Sequence, residues 1–145
     1  MKSRFEPQDP NFAERVRESF ARQRVMQLIG ARIVTLEPGL IEIDMPARED
    51  LTQQDGFVHA GIVTTLMDSA CGYAAYTLMP ADSSVLSVEF KVNLLAPANG
   101  DVVSARAEVK RAGRTLTVCT ADAMTNGRIC ATMLATMICR QPNQG

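Results

Sequence analysis

Between Ala60 and Met79 the chain runs for twenty residues with Asp68 as the only charged side chain. At ~1.5 Å per residue, a helix of that length would reach ~30 Å, the thickness of a bilayer core. Thr64, Thr65, Asp68, Ser69, Tyr73 and Tyr76 make the segment too polar for lipid, while Gly72 and several alanines suit close packing against protein. The segment therefore predicts a helix buried on most sides by the rest of its own chain, ended by Pro80. Whatever surrounds it must be a surface able to wrap a rod.

The flanking sequence supplies such a surface. Residues 11–29 place Phe12, Val16 and Phe20 four apart, with Glu14, Arg15, Arg17, Glu18 and Arg22 between them, which predicts an amphipathic helix stopped by Gly30. From Ala31 the texture becomes Ile33, Val34 and Leu36, then Pro38-Gly39, then Leu40, Ile41, Ile43 and Met45, a strand, a tight turn and a second strand. Residues 47–58 carry no sustained period and read as a loop. After Pro80, segments 84–95, 101–111, 114–125 and 128–139 are rich in Val, Leu, Ile, Thr and Met. They are separated by Pro97 to Gly100, Ala112-Gly113 and Asn126-Gly127, the last a two-residue hairpin signal. The expected class is α+β, an antiparallel sheet wrapped around one long helix with an extra N-terminal helix. A length of 145 residues suits a single domain, 1–145, with 1–29 as a helical extension and 30–140 as the core.

Several function classes drop out. Fifteen basic residues against sixteen acidic ones leave a formal charge of -1, with no field to hold a nucleic acid backbone. His59 is the single histidine, and Cys71, Cys119, Cys130 and Cys139 form no C-x-x-C pair, so no metal site is expected. The cysteines sit in apolar surroundings and read as small buried hydrophobes without disulfides. The first twenty residues are charged throughout and contain no apolar run, so no signal or membrane anchor is expected and a cytoplasmic location is.

The chemistry concentrates where the loop meets the long helix, at Gln53-Gln54-Asp55-Gly56-Phe57-Val58-His59-Ala60-Gly61. A helix beginning near Ala60 presents the free N–H groups of Ala60, Gly61 and Ile62, backed by about half a positive charge, to a developing oxyanion. Small residues there let a carbonyl approach the backbone. Asp68 lies two turns further in, where an isolated carboxylate is costly unless it faces a cleft or a partner. Taken alone, Asp68 reads as readily as a solvent-facing or interface-paired acid as it does as a reactive one, and His59 more readily as a helix-capping or core-edge side chain.

The run Gly56-Phe57-Val58-His59-Ala60-Gly61, with Asp68 nine residues after the histidine, resembles the signature of hot-dog fold acyl-CoA thioesterases of the phenylacetate-pathway (PaaI) type, within the 4-hydroxybenzoyl-CoA thioesterase superfamily. Ser87 to Ala98 resembles the strand that follows the helix in that family, and Arg111 to Leu116 its hairpin; the likeness spans about residues 30–140. Two positions depart from the pattern. Ala60 replaces the first glycine of the pair, and Gln53 stands where the family often has asparagine, keeping an amide.

The resemblance implies hydrolysis of an acyl-CoA thioester. In that reading Asp68 activates water or attacks the carbonyl itself, and the N–H groups of Ala60 and Gly61 stabilise the oxyanion. Gln53 positions water or carbonyl, His59 shapes the junction, Ser87 holds the water, and Gly72 opens room for the acyl group. It also implies a homodimer or a tetramer of two dimers, with the site shared between chains. No cofactor is implied beyond the coenzyme A of the substrate. Arg106, Lys110, Arg111 and Arg114 cluster at the Ala112-Gly113 turn, and Arg111 and Arg114 are candidate contacts for coenzyme A phosphates. Medium or long fatty acyl chains, or an aryl group, are the expected acyl moieties. The competing readings are a non-catalytic acyl-CoA or fatty-acyl binding module of the same fold, and a hot-dog dehydratase or hydratase.

Overall fold

In the computed structural model, which describes residues 3–142, the long apolar helix is α3, Ala60–Tyr76. Two short helices, α1 (Phe12–Arg22) and α2 (Arg24–Leu28), precede a hairpin of β1 (Arg32–Glu37) and β2 (Leu40–Pro46). After α3 come β3 (Ser84–Leu94), β4 (Val102–Ala112), β5 (Leu116–Thr125) and β6 (Arg128–Arg140). All pairings are antiparallel, in the order β1-β2-β4-β5-β6-β3. The sheet wraps α3 as expected.

Side-chain size explains how closely the sheet can follow the helix. Ala105, Ala107, Ala121, Ala123, Ala131 and Ala135 are all buried along the sheet's inner face, opposite Ala70, Ala74 and Ala75 of α3. Methyl groups in the middle of the sheet allow a close approach. Ile41, Ile43, Met45, Met133 and Met137 fill the space at the sides, alongside Leu66 and Met67. The four cysteines are free and buried, as their surroundings suggested.

Beyond shifts of one or two residues at the ends of β3 to β6, two boundaries differ from expectation. The helix expected over 11–29 is broken at Gln23, whose backbone is extended (φ -79, ψ 101). Met26 is buried together with Val16, yet it lies six residues beyond Phe20, more than one and a half turns. A straight helix could not bury both sets, so the chain turns at Gln23. The second difference is that α3 closes at Tyr76 instead of Met79. Leu78 and Met79 donate to Ala75 and Tyr76 at 3.0 and 3.2 Å, a tightening to three-residue spacing before Pro80. Thr77 consolidates this end by accepting the Gly39 N–H at 2.8 Å. Among the described residues no helix is long and apolar enough to cross a membrane.

Candidate active site

The loop before α3 is built around Gln53. Its N–H donates to the Phe57 carbonyl at 2.9 Å, and its side-chain Oε1 accepts from the N–H groups of Asp55 (2.6 Å) and Phe57 (3.3 Å). Gly56 turns the chain at φ +88, where a β-carbon would be strained. Two donors on Oε1 fix the orientation of the amide, so Gln53 can offer only its Nε2 hydrogens outward. The loop is tied down at its end, with Val58 donating to Ala98 and His59 to Leu51, each at 2.9 Å.

His59 caps the helix. Its Nδ1 accepts the Gly61 N–H at 2.9 Å, which places the ring proton on Nε2. The amide of Gly61 is therefore engaged, and that of Ile62 bonds the His59 carbonyl at 2.9 Å. This narrows the expected nest of three amides. Among the described residues, Ala60 alone of the three has an N–H without an intrachain acceptor, and it stands exposed at the positive end of the helix. Ala60 and Gln53 face a largely apolar cavity of about 360 Å³, closed by Leu94 to Ala98 and by Cys130 and Ala131.

Asp68 lies eight residues along the same helix, about 12 Å away. It is half-buried, in a second cavity of about 360 Å³, where Ser87 Oγ on β3 donates to its Oδ1 at 2.6 Å. Oδ2 is left for another partner. Gly72, one turn on, lines the same cavity, and a β-carbon there would meet nothing within 4 Å. A single chain thus pairs Asp68 with Ser87 and Gly72, and Gln53 with Ala60, but keeps the two groups in separate cavities.

Two further groups stand apart. Arg106 meets Glu42 (3.2 Å) and Glu108 (3.9 Å), and Lys110 meets Glu108 (3.5 Å), so part of the basic cluster is neutralised along β2 and β4. Arg111 and Arg114 are exposed at the β4–β5 turn, and Arg114 lines a cavity with Gln8, Pro80 and Cys139 rather than the one holding Asp68. Sequence reasoning missed the contribution of the N-terminal helices. Ser19, Arg22 and Gln23 line the Asp68 cavity, and Gln23 Oε1 accepts from Ser69 Oγ at 2.9 Å across 46 positions of chain. No local pattern reports a contact at such separation.

The sequence pattern of the thioesterase superfamily matches residues 55–132, which contain the His59 junction, Asp68 and Ser87. A solved thioesterase family protein from Silicibacter pomeroyi is 57% identical and covers 88% of this chain and 97% of its own, with a TM-score of 0.86. A 1,4-dihydroxy-2-naphthoyl-CoA hydrolase from Listeria monocytogenes is 28% identical over 94 residues, 65% of this chain and 76% of that protein. The PaaI protein of E. coli, from the phenylacetic acid degradation operon, shares the fold at a TM-score of 0.82 with 16% identity over 88% of this chain and 92% of its own.

Proposed function

The chain belongs to the thioesterase superfamily and is a thioester hydrolase, and from that membership we propose that its substrate is an acyl-CoA, cleaved with Asp68 as the reactive carboxylate. The observation that carries this reading is the Ser87–Asp68 hydrogen bond on a cavity wall of an otherwise uncharged helix. Ser87 engages Oδ1, so Oδ2 is free to take a proton from water. The water oxygen attacks the thioester carbonyl, and the charge that develops on the carbonyl oxygen meets the unused N–H of Ala60. Collapse breaks the C–S bond, the thiolate leaves as coenzyme A with the proton, and the free acid remains. Direct attack by Asp68 to give a mixed anhydride uses the same groups, with water cleaving the anhydride afterwards. In either route Gln53 contributes as a donor through Nε2, and His59, its Nδ1 committed to Gly61, keeps the junction in shape and presents Nε2–H.

We place the complete site between two chains. β3 is an edge strand of eleven residues whose Leu86, Val88, Phe90 and Leu94 are all exposed. An open apolar edge of that length invites pairing with a second copy. Antiparallel pairing of two β3 strands about a two-fold axis sets the Ser87 end of one against the Leu94 end of the other. Asp68 of one chain then approaches the Ala60 and Gln53 cavity of its partner, joining the two half-sites separated in one chain. Arg111 and Arg114 are kept as candidate contacts for the phosphates of coenzyme A, and no cofactor is needed beyond that handle.

Release of coenzyme A from a panel of aryl, short-, medium- and long-chain acyl-CoAs tests this. Asp68→Asn keeps the shape of the side chain and is expected to lower kcat by about 10²–10⁴-fold. Hydrolysis of no acyl-CoA would remove the substrate assignment in favour of a binding role, and wild-type turnover by Asp68→Asn would remove Asp68 from the chemistry.

A further inference from the structure

The wall of the Asp68 cavity supplied by the N-terminal helices is firmly tethered. Arg15 of α1 donates to Asp9 at 2.8 Å and to the carbonyls of Met79 (2.9 Å) and Tyr76 (3.2 Å), with its guanidinium 4.2 Å from the centre of the Tyr76 ring. Ser19 and Tyr73 share a hydrogen bond of 3.2 Å between their hydroxyls, the Phe20 and Tyr73 rings pack at 5.6 Å, and Ser69 donates to Gln23. The wall is therefore a fixed feature of the cavity.

Its lining is polar. Most of the hydroxyls are already committed, Ser69 to Gln23, Ser87 to Asp68, Tyr76 to the Ser83 carbonyl, and Tyr73 to Ser19. The Nε2 hydrogens of Gln23 and the guanidinium of Arg22, an exposed side chain one turn along α1 from the Ser19 that meets Tyr73, have no acceptor among the described residues. Neither group can accept a hydrogen bond. A ligand complementary to this wall carries an acceptor, and opposite a guanidinium the best planar acceptor is a carboxylate. Arg22 is the only cation in the lining and Asp68 the only acid. Tyr73 lies five residues beyond Asp68, about 7.5 Å along the helix. A carboxylate held by the turn that carries Arg22 therefore sits a few carbons from a carbonyl at Asp68.

We propose that Arg22, assisted by Gln23, is the specificity-determining residue and reads a carboxylate at the far end of the acyl group, so that the preferred substrates are coenzyme A monothioesters of short dicarboxylic acids. The proposal rests on the thioester-hydrolase reading of the same cavity.

Adipyl-CoA and hexanoyl-CoA share a chain length and differ in a terminal carboxylate against a methyl group. For the wild-type protein, kcat/KM is expected to favour adipyl-CoA by about tenfold or more, a preference that weakens as salt is raised. In Arg22→Gln the ratio falls towards one, and Arg22→Lys retains part of it. The same two thioesters are titrated calorimetrically into Asp68→Asn and into Asp68→Asn/Arg22→Gln, which reads recognition without turnover. A ratio at or below one in the wild type, or a ratio that survives Arg22→Gln, overturns the proposal. Tighter binding of adipyl-CoA that depends on Arg22, in a protein that hydrolyses no member of the acyl-CoA panel, upholds the recognition and overturns the acyl-CoA hydrolase reading. Absence of both turnover and binding preference overturns both.

Discussion

At the scale of the residue, two buried thiols report on how dry the interior around α3 is. Burial is the main cause that pushes the Cys71 thiol far above its usual range, with the charges of Cys119 and Asp68 adding to it, and burial lifts Cys119 to about 12. Both groups stay neutral in the folded chain through the range just above 9.0 where a free thiol ionises. Raised folded values mean that the stabilising contribution is complete below about pH 9 and is lost as pH climbs towards 12. Thermal melts taken from pH 8 to 11 should show a midpoint that falls above pH 9, less steeply in Cys119→Ala; a flat profile would contradict the burial of these thiols. His59 makes a second test. Its Nδ1 caps Gly61, so His59→Ala should cost about 1 kcal/mol, read as a lowered denaturant midpoint with an unchanged slope. An unchanged midpoint would mean that water replaces the imidazole at no cost.

At the scale of the element, α3 joins a structural demand to a functional one, and Gly72 is where they conflict. A glycine thirteen residues into a helix of seventeen costs about 1 kcal/mol relative to alanine. Nothing within 4 Å opposes an added β-carbon. Gly72→Ala should therefore raise the thermal midpoint by about 2–4 °C while lowering kcat/KM, because the methyl enters the cavity beside Asp68. Gain of stability without loss of activity would show that the acyl group does not reach Gly72. The contrast between α3 and the N-terminal helices also explains what could be read from the chain. The single acid in twenty residues, the Asn126-Gly127 turn and the runs rich in Val, Leu, Ile, Thr and Met that form β4 to β6 are local signals, and each led to the right element. The His59 to Asp68 spacing likewise located the candidate carboxylate. The break at Gln23 and the Ser69–Gln23 contact depend on what α1 and α2 pack against, 46 positions away, and no window of sequence contains that information. His59 reads from the chain as a helix cap and is one; which amide it takes, leaving Ala60 available, depends on one imidazole rotamer.

At the scale of the whole molecule, the separation of the half-sites makes a quantitative statement about assembly. Asp68 with Ser87 and Gln53 with Ala60 occupy different cavities about 12 Å apart along one helix, and one thioester carbon cannot reach both in a single chain. If a two-fold pair completes the site, Asp68→Ala removes the carboxylate from both sites of its homodimer, and Gln53→Ala removes the amide from both sites of its own. Mixing the two variants after reversible dissociation yields mixed dimers as about half of the population, and in each of them one site carries both defects while the other carries none. Activity should return to about a quarter of the wild-type value from two parents that are each nearly inactive, and light scattering should report a dimer or a multiple of it. Phe90→Lys places a charge on the exposed β3 edge and should abolish assembly and turnover together. A stable monomer that retains full activity, or mixtures that recover nothing despite exchanging subunits, would instead require each chain to bring its own carboxylate and amide together.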